Sequence, residues 1–387
     1  MTSPRVAICQ PYFILGGRLS LVLALVKSLN AIGIEPDILA LGYAFSLQQI
    51  KQNFGADLRM NLRTIARWTP LRWLPQDFKI LAFNRLLKRY GTRYDLLINS
   101  SNSQIHLPAN PRVLSYIHFP REYRVRRAVT QNYFTGNGRL FSALSSLADR
   151  YLERVYKGSH IQAGHRIICN SQYSRECFLD VFPGYEQEIQ VIYPPVQMDK
   201  YEHPAEKARS GIISLGRFAR LKMQLEQIKL AEQLPEIDFH LVGFVTDQAY
   251  FERCQNYVED HHLSNVYLHP NLDQGQMIEL LNSSKYFLHT LIDEPFGITA
   301  VEAIAAGCIP IVHNSGGQKE ICIVPELRYN ALHEISAIIR QFEGKSRQEV
   351  QEIIHQLQAH ARDNFDEPIF DHQITEYLNA MLQEFYA

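Results

Sequence analysis

The chain has little that would mark it as secreted, membrane-spanning or metal-dependent. Its six cysteines, Cys9, Cys169, Cys177, Cys254, Cys308 and Cys322, are scattered over 387 residues, with no C-x-x-C pair and no zinc-ligand spacing. That excludes a disulfide framework and a zinc module, and leaves reduced, buried thiols of a cytosolic protein. The start has no basic stretch followed by an apolar signal core: Val6-Ala7-Ile8-Cys9 is only strand-length, and Gln10-Pro11 follows at once. The most apolar stretch, Leu19 to Ile34, is interrupted by Lys27, Ser28 and Asn30, so no membrane span is expected. No Asp-x-Asp triplet occurs, so a divalent ion bridging a diphosphate would lack its usual ligands. There is no internal repeat and no low-complexity tract. The expected place is the cytoplasm, at most peripheral on the cytoplasmic face of a membrane.

What is present is a long, well-mixed globular composition, 46% hydrophobic and 11% aromatic, too long for one ordinary core. The net charge of −1 hides an asymmetry. Residues 1–195 hold 24 Lys and Arg against 12 Asp and Glu; residues 196–387 hold 15 against 28. Only the first half is therefore suited to face a polyanion, with nucleic acid and anionic lipid as the candidates.

Strand-length apolar runs alternate with helical patterns throughout, which predicts an α/β protein with parallel sheets. In the first half the expected strands are Arg5–Gln10, Glu35–Leu41, Leu96–Asn99, Val113–Ile117, Arg166–Asn170 and Gln190–Tyr193. Tyr193-Pro194-Pro195 closes that series, because proline cannot continue a ladder. The polar stretch 196–210 reads as a linker. A second series starts at Gly211-Ile212-Ile213-Ser214-Leu215-Gly216, with further strands at Asp238–Val242, Val266–His269, Tyr286–His289 and Ile309–His313. The expected organisation is thus two doubly wound domains, 1–195 and 211–365, facing across a cleft at the carboxyl ends of their strands. Residues 366–387 form a final helix, with Ile369, Phe370, Ile374, Tyr377, Leu378, Met381, Leu382 and Phe385 at helical spacing, packing back on the first domain.

Four segments at strand ends carry chemistry-bearing residues. Gly16-Gly17 lies between the first strand and the first helix, where backbone can approach a ligand closely or simply turn. Gly216-Arg217-Phe218-Ala219-Arg220-Leu221-Lys222 follows the first strand of the second domain. Arg217 as a planar fork and Lys222 as a point charge suit a diphosphate; a solvated basic turn is the plain alternative. Glu294-Pro295-Phe296-Gly297 follows another strand, and Glu302 lies eight residues on, inside a helix expected from Gly297 to Ala306 and stopped by Gly307. The amides of Phe296, Gly297 and Ile298 sit at that helix's N-terminus, where an anion is favoured. Taken singly, Glu294 is as well explained as a cap and Glu302 as a solvated helical acid. Together beside an anion site they suggest a ligand with both phosphate and sugar hydroxyls. The fourth segment, His313-Asn314-Ser315-Gly316-Gly317, looks like a second glycine-rich loop near the same diphosphate.

In order, Gly-Gly, Arg-x4-Lys, E-x7-E, Gly307-x-x-Pro310 and a second Gly-Gly resemble the retaining glycosyltransferases of family 4 (group 1), with their two-domain GT-B fold. The resemblance covers nearly the whole chain. It implies that Arg217 and Lys222 neutralise a leaving nucleoside diphosphate and that Glu294 holds hydroxyls of the donor sugar. It also implies that Phe296, Gly297 and Ile298 offer amides to sugar or phosphate oxygens, that Glu302 accepts both ribose hydroxyls, and that Gly16 and Gly17 approach the diphosphate from the first domain. His118, in Ser115-Tyr116-Ile117-His118-Phe119-Pro120, falls where the family often has a histidine near sugar or acceptor. Two positions depart from the pattern. Met223 stands where a small residue often follows the clamp lysine, and Arg18-Leu19-Ser20 replaces an acidic residue after the first glycine pair. With no cofactor and no metal expected, the implied chemistry is metal-independent transfer with retention by a hexosyltransferase.

Residues 58–93 place Arg59, Arg63 and Arg67 at spacing four, one face of a helix if this part is helical. Trp68, Trp73, Phe78 and Phe83 accompany Arg72, Lys79, Arg85, Lys88, Arg89 and Arg93, and a second cluster holds Arg121, Arg124, Arg126 and Arg127 before Tyr133, Phe134 and Phe141. Basic and large apolar residues interleaved in this way suit an anionic membrane surface, unless the aromatics pack inward. No nucleic-acid-binding module accompanies the charge, so nucleic acid is not the expected partner. The segments Ser115–Pro120 and Val191–Pro195 also resemble mannosyltransferases that extend lipid-linked oligosaccharides, implying GDP-mannose and a lipid-linked acceptor. A UDP-sugar with a soluble acceptor, or an epimerase or hydrolase on the same fold, is the alternative.

Overall fold

Parallel strands buried on both faces need largely apolar side chains, and the central strands follow that requirement. The computed structural model describes residues 4–13, 17–43, 46–54, 57–65, 76–108, 112–126, 147, 150–202 and 209–386. It divides into unit 1, Met1–Pro195 with Phe370–Ala387, and unit 2, Val196–Ile369.

Unit 1 contains strands β1 (Val6–Cys9), β2 (Tyr12–Phe13), β3 (Asp37–Ala40), β4 (Gly42–Tyr43), β5 (Asn61–Thr64), β6 (Leu96–Asn99), β7 (Arg112–Ile117), β8 (Arg166–Cys169) and β9 (Ile189–Val191). Seven of them form a parallel sheet in the order β5-β3-β1-β6-β7-β8-β9, while β2 and β4 pair separately. Strand order reverses direction between β1 and β6, which puts the switch point of the sheet beside the start of the helix Gly17–Ala31. That helix buries Leu21, Val22, Leu25, Val26 and Leu29 against Ile8, Ile38 and Ile98 of the sheet.

The C-terminal helix Glu367–Tyr386 completes the same core. Phe370, Ile374, Leu378 and Leu382, one turn apart, lie in the cluster that includes Leu25 and Leu114. Lys27 Nζ pairs with Asp371 at 2.9 Å, and the Arg112 guanidinium donates to the carbonyls of Met381 and Glu384 at 3.1 and 2.7 Å. Arginine at the end of this helix thus satisfies carbonyls that have no partner within it.

Unit 2 is a six-stranded parallel sheet of order β12-β11-β10-β13-β14-β15, built from β10 (Ser210–Leu215), β11 (Phe239–Gly243), β12 (Val266–Pro270), β13 (Ser284–His289), β14 (Ile309–His313) and β15 (Arg328–Tyr329). Its switch point lies between β10 and β13, where Ile212 is paired with Tyr286.

Three expectations from sequence change. The stretch 196–210 is not an open linker over its described part: Val196 bridges Asp366, Val196 N donates to the Phe365 carbonyl at 3.0 Å, and Met198 and Tyr201 are buried. Apolar residues spaced along this polar segment pin it into unit 2. Arg59 and Arg63 do not share a helix face, because Asn61–Thr64 is the edge strand β5 and Arg63 pairs there with Asp37. Phe78 and Phe83 pack inward on the helix Gln76–Tyr90, leaving Arg85, Lys88 and Arg89 exposed. Trp68, Trp73, Arg67, Arg72, Arg127, Tyr133, Phe134 and Phe141 lie outside the described residues.

Candidate functional site

At the carboxyl ends of β10 and β13, unit 2 brings together residues far apart in sequence. Beyond β10 the chain turns through Gly216 and a short 3-10 turn, Arg220–Lys222, into the helix Gln224–Ala231. Gly216 has no room to retreat, since any side chain at the neighbouring Gly243 would collide with its carbonyl. Met223 enters the helix with φ +56°, a left-handed conformation that costs a non-glycine residue about 1–2 kcal/mol. The long side chain is therefore tolerated at that position only because the turn is held elsewhere. The Lys222 carbonyl accepts from Thr290 Oγ1 at 2.7 Å and from Gln227 Nε2 at 3.3 Å, and both partners are buried. So anchored, Lys222 Nζ reaches Glu294 Oε2 at 2.8 Å. Arg217 lies on the same loop with its carbonyl held by Gln224 Nε2 at 2.8 Å; its side chain is exposed, with no ion-pair partner among the described residues.

Glu294 stands in a loop shaped by two left-handed residues, Asp293 at φ +56° and Gly297 at φ +109°. The loop Asn314–Gly317 packs directly on it. Gly317 N donates to the Glu294 carbonyl at 2.8 Å, and Asp293 N donates to Ser315 Oγ at 2.9 Å. A Cβ at Gly316 would collide with the Glu294 backbone, and one at Gly317 with that of Pro295 and Phe296. The second glycine pair, expected to lie near a diphosphate, is required by backbone-to-backbone contact that fixes the Glu294 loop.

The carboxyl of Glu294 has two further constraints. His289, buried at the end of β13, places Nε2 3.4 Å from Glu294 Oε2, out of line for a full hydrogen bond. Burial pushes the acid's pKa up, but His289 and Lys222 outweigh it and hold the group at about 2. Burial pushes the His289 imidazole down, so this neighbour is neutral at pH 7.

The helix after the loop is Ile298–Ala305 with Gly297 as N-cap; Ala300 N donates back to the Gly297 carbonyl at 2.9 Å, while the amides at the very start have no partner inside the helix. Phe296 is buried, its ring 5.3 Å from that of Phe365, which makes its side chain part of the core while its backbone lies at the helix entrance. Glu302 is on the second turn, partly buried, and accepts from the Tyr201 hydroxyl at 2.8 Å. Burial raises its pKa, against the lowering effects of Tyr201 and Lys200.

In unit 1, Gly17 opens the helix Gly17–Ala31, and Gly16 lies outside the described residues. His118, just past β7, has its amide bonded to Asn102 Oδ1 at 2.8 Å and its Nε2 3.3 Å from Ser100 Oγ. Burial, with Arg18 adding to it, holds this imidazole at about 3, so it is neutral throughout the physiological range. Arg121 is paired with buried Asp77, and Arg124 lies 4.8 Å from the Phe119 ring centre, so both stabilise unit 1 internally. Among the described residues no group of three His, Cys, Asp or Glu is arranged to hold a metal ion, and no helix is long and apolar enough to cross a membrane.

The structure therefore joins Lys222, Glu294 and, unforeseen, His289, Thr290 and Gln227, while Glu302 is joined to Tyr201. Neither His289 nor Tyr201 carried a sequence signal: one ends an apolar strand, the other sits in a segment read as a linker.

Glu294 has a depressed pKa in the folded state, so its contribution to stability is complete above about pH 4.5, the ordinary value, and fades as pH falls toward 2. In urea unfolding, the stability gap between wild type and Glu294→Gln should be constant from pH 7 to pH 5 and narrow toward pH 3. A gap independent of pH over that range contradicts the lowered pKa of Glu294 described above.

Two family models match adjoining parts of the chain: Glycosyltransferase Family 4 over residues 15–200, and Glycosyl transferases group 1 over residues 197–330. Among curated proteins, the chain is 25% identical over 297 residues to the GDP-Man:Man(3)GlcNAc(2)-PP-Dol alpha-1,2-mannosyltransferase of Dictyostelium discoideum, covering 67% of this chain and 52% of that one. It is 24% identical over 255 residues to the alpha-1,3/1,6-mannosyltransferase ALG2 of Rhizomucor pusillus, covering 54% and 52%. The chain thus spans about half the length of the curated relatives it matches. Among solved structures, sucrose-phosphate synthase of Thermosynechococcus elongatus superposes with a TM-score of 0.71 at 16% identity, over 99% of this chain and 100% of that one, a likeness of fold. With adjoining matches from residue 15 to residue 330 and two doubly wound units, the chain belongs to the family 4, group 1 glycosyltransferases of GT-B fold.

Proposed function

We propose that the protein is a retaining, metal-independent hexosyltransferase that moves mannose from GDP-mannose to a lipid-linked acceptor. The observation that carries the catalytic part is the Lys222–Glu294 pair, 2.8 Å apart at the switch point of unit 2 and beside the N-terminus of the helix Ile298–Ala305. In this reading the nucleoside diphosphate leaves against positive charge. Lys222 and the exposed Arg217 neutralise it, and the amides of Phe296, Gly297 and Ile298 add the partial positive charge of a helix N-terminus. Glu294, already ionised and oriented by Lys222 and His289, receives hydroxyls of the sugar. Glu302 receives the ribose hydroxyls. The acceptor hydroxyl attacks the same face from which the diphosphate departs, through an oxocarbenium-like centre; its proton passes to the departing diphosphate oxygen, with no covalent nucleophile on the protein. His118 in unit 1, neutral and hydrogen-bonding, is assigned to the acceptor side.

The choice of mannose and of a lipid-linked acceptor rests on the relatives, whose names specify GDP-Man and a dolichol-linked oligosaccharide for one group and mannosyl transfer for the other. The exposed Arg85, Lys88, Arg89 and Arg93 support an acceptor presented at an anionic membrane. Each basic residue near such a surface contributes about 1 kcal/mol.

Transfer from GDP-mannose should fall by about 100-fold or more in kcat/KM for Lys222→Ala and for Glu294→Ala, as for loss of one preorganised group that stabilises a transition state. It should be unchanged by EDTA. Near wild-type turnover in either variant removes the site assignment, and loss of activity restored by a divalent ion removes the metal-independent mechanism.

Flotation with phosphatidylglycerol vesicles should recover the protein at low salt and lose it at high salt, as screening requires. Replacing Arg85, Lys88 and Arg89 together by Glu should abolish the low-salt binding. Flotation insensitive to salt, or unchanged in the triple variant, removes the membrane claim.

A further inference from the structure

The two acids of the site are held in different ways. Glu294 meets a full positive charge, Lys222, and a neutral imidazole, His289. Glu302 meets a hydroxyl: Tyr201 donates to its Oε1 at 2.8 Å, and among the described residues no donor reaches Oε2. Tyr201 itself is only 4% exposed and is fixed from three directions. The preceding turn Met198–Lys200 is anchored by Met198 N on Asp366 Oδ1 at 3.3 Å; Tyr201 N donates to the Met198 carbonyl at 2.9 Å; and the side chain of Gln274 lies beside the Tyr201 hydroxyl. The phenol's proton is directed at Glu302, so the donor ends on one oxygen of the acid.

We propose that Tyr201 is a positioning residue for nucleotide binding, holding Oε1 of Glu302 so that Oε2 is presented to the vicinal diol of a ribose. The inference rests on the reading that Glu302 faces the ribose and adds what sets its geometry. A carboxylate on a helix rotates about its terminal torsion with little restraint. Fixing one oxygen removes that freedom before the ligand arrives, and the ordering cost is not charged to binding. The phenol is suited to the task because it is neutral. A lysine in its place would compete with the ribose hydroxyls for both oxygens, whereas one phenol proton can serve only one.

The device has a pH consequence. Burial raises the pKa of Glu302, and the Tyr201 hydrogen bond opposes that rise together with the exposed Lys200. The other charged groups on this turn and the facing helix are one cation and three acids, Arg362 paired with Asp199 at 3.3 Å, with Asp366 at 3.2 Å and with Glu202, an excess of negative charge that does nothing to favour an ionised Glu302. Loss of the phenol hydroxyl should therefore let Glu302 take up a proton at higher pH, and binding that needs the ionised acid should weaken first on the acid side.

The test is calorimetric titration of the full chain with GDP and UDP and with their 2′,3′-dideoxy counterparts, for wild type, Glu302→Gln, Tyr201→Phe and Gln274→Ala. The reading beneath the inference predicts that Glu302→Gln weakens the better-binding ribonucleotide and leaves the dideoxy form unaffected. If neither GDP nor UDP binds wild type, or Glu302→Gln binds as wild type does, that reading is wrong. The inference itself predicts that Tyr201→Phe loses up to about tenfold in affinity for the ribonucleotide, the ordering cost of one immobilised side chain. It predicts no loss for the dideoxy form, and a ribonucleotide deficit larger at pH 6 than at pH 8. Gln274→Ala, on an exposed residue, should show a smaller loss with the same selectivity, and it carries the test if Tyr201→Phe does not fold. Equal weakening of both ligands would mark a merely structural role for Tyr201. Wild-type affinity of Tyr201→Phe alongside a weakened Glu302→Gln would overturn the proposal.

Discussion

The ion pair between Lys222 and Glu294 is the interaction on which the candidate site depends. Both side chains are mostly buried, so each would be costly alone; removing one partner of such a pair costs on the order of 3–5 kcal/mol. Neighbouring structure serves to keep the two in register. Thr290 and Gln227 grip the Lys222 carbonyl, His289 flanks the carboxylate, and Gly317 donates to the Glu294 carbonyl. The left-handed Met223, Asp293 and Gly297 lie in the two loops that carry the pair. A carboxylate held near pKa 2 and a lysine fixed from behind are ready before any ligand arrives. That is the preorganisation which electrostatic stabilisation of a leaving group requires.

Much of this was legible in the sequence because parallel sheets and glycosyl-transfer motifs both leave local marks. The strand Val6–Cys9 is apolar from end to end, and Leu96–Asn99 and Ile309–His313 are so up to their last residue, as strands covered on both faces must be. Lys222, Glu294 and Glu302 stood out by spacing. What stayed hidden was of two kinds. The two-residue strands Tyr12–Phe13, Gly42–Tyr43 and Arg328–Tyr329 are too short for any period, and Asn61–Thr64 is a polar edge strand that looks like a helix face when only its arginines are counted. The second kind is partnership across sequence distance. Nothing in a one-dimensional pattern says that Tyr201 reaches Glu302 or that His289 reaches Glu294.

The glycines and the aromatics correct the reading in opposite ways. Gly316 and Gly317 looked like a ligand loop and are required by close contact with the Glu294 backbone, so their effect on the site is indirect but strong. Phe78 and Phe83 looked like membrane-facing residues, yet they pack inward and leave the helix Gln76–Tyr90 with a face of cations alone. Any attraction of this helix's cationic face to a membrane is then electrostatic, which makes it reversible by salt.

The most direct measurement is a crystal structure of the protein with GDP-mannose or GDP bound. The diphosphate should lie against Lys222 and Arg217 at the N-terminus of the helix Ile298–Ala305, with the ribose hydroxyls on Glu302. A nucleotide bound elsewhere, or a diphosphate that leaves the Lys222–Glu294 pair untouched and remote, would contradict the account.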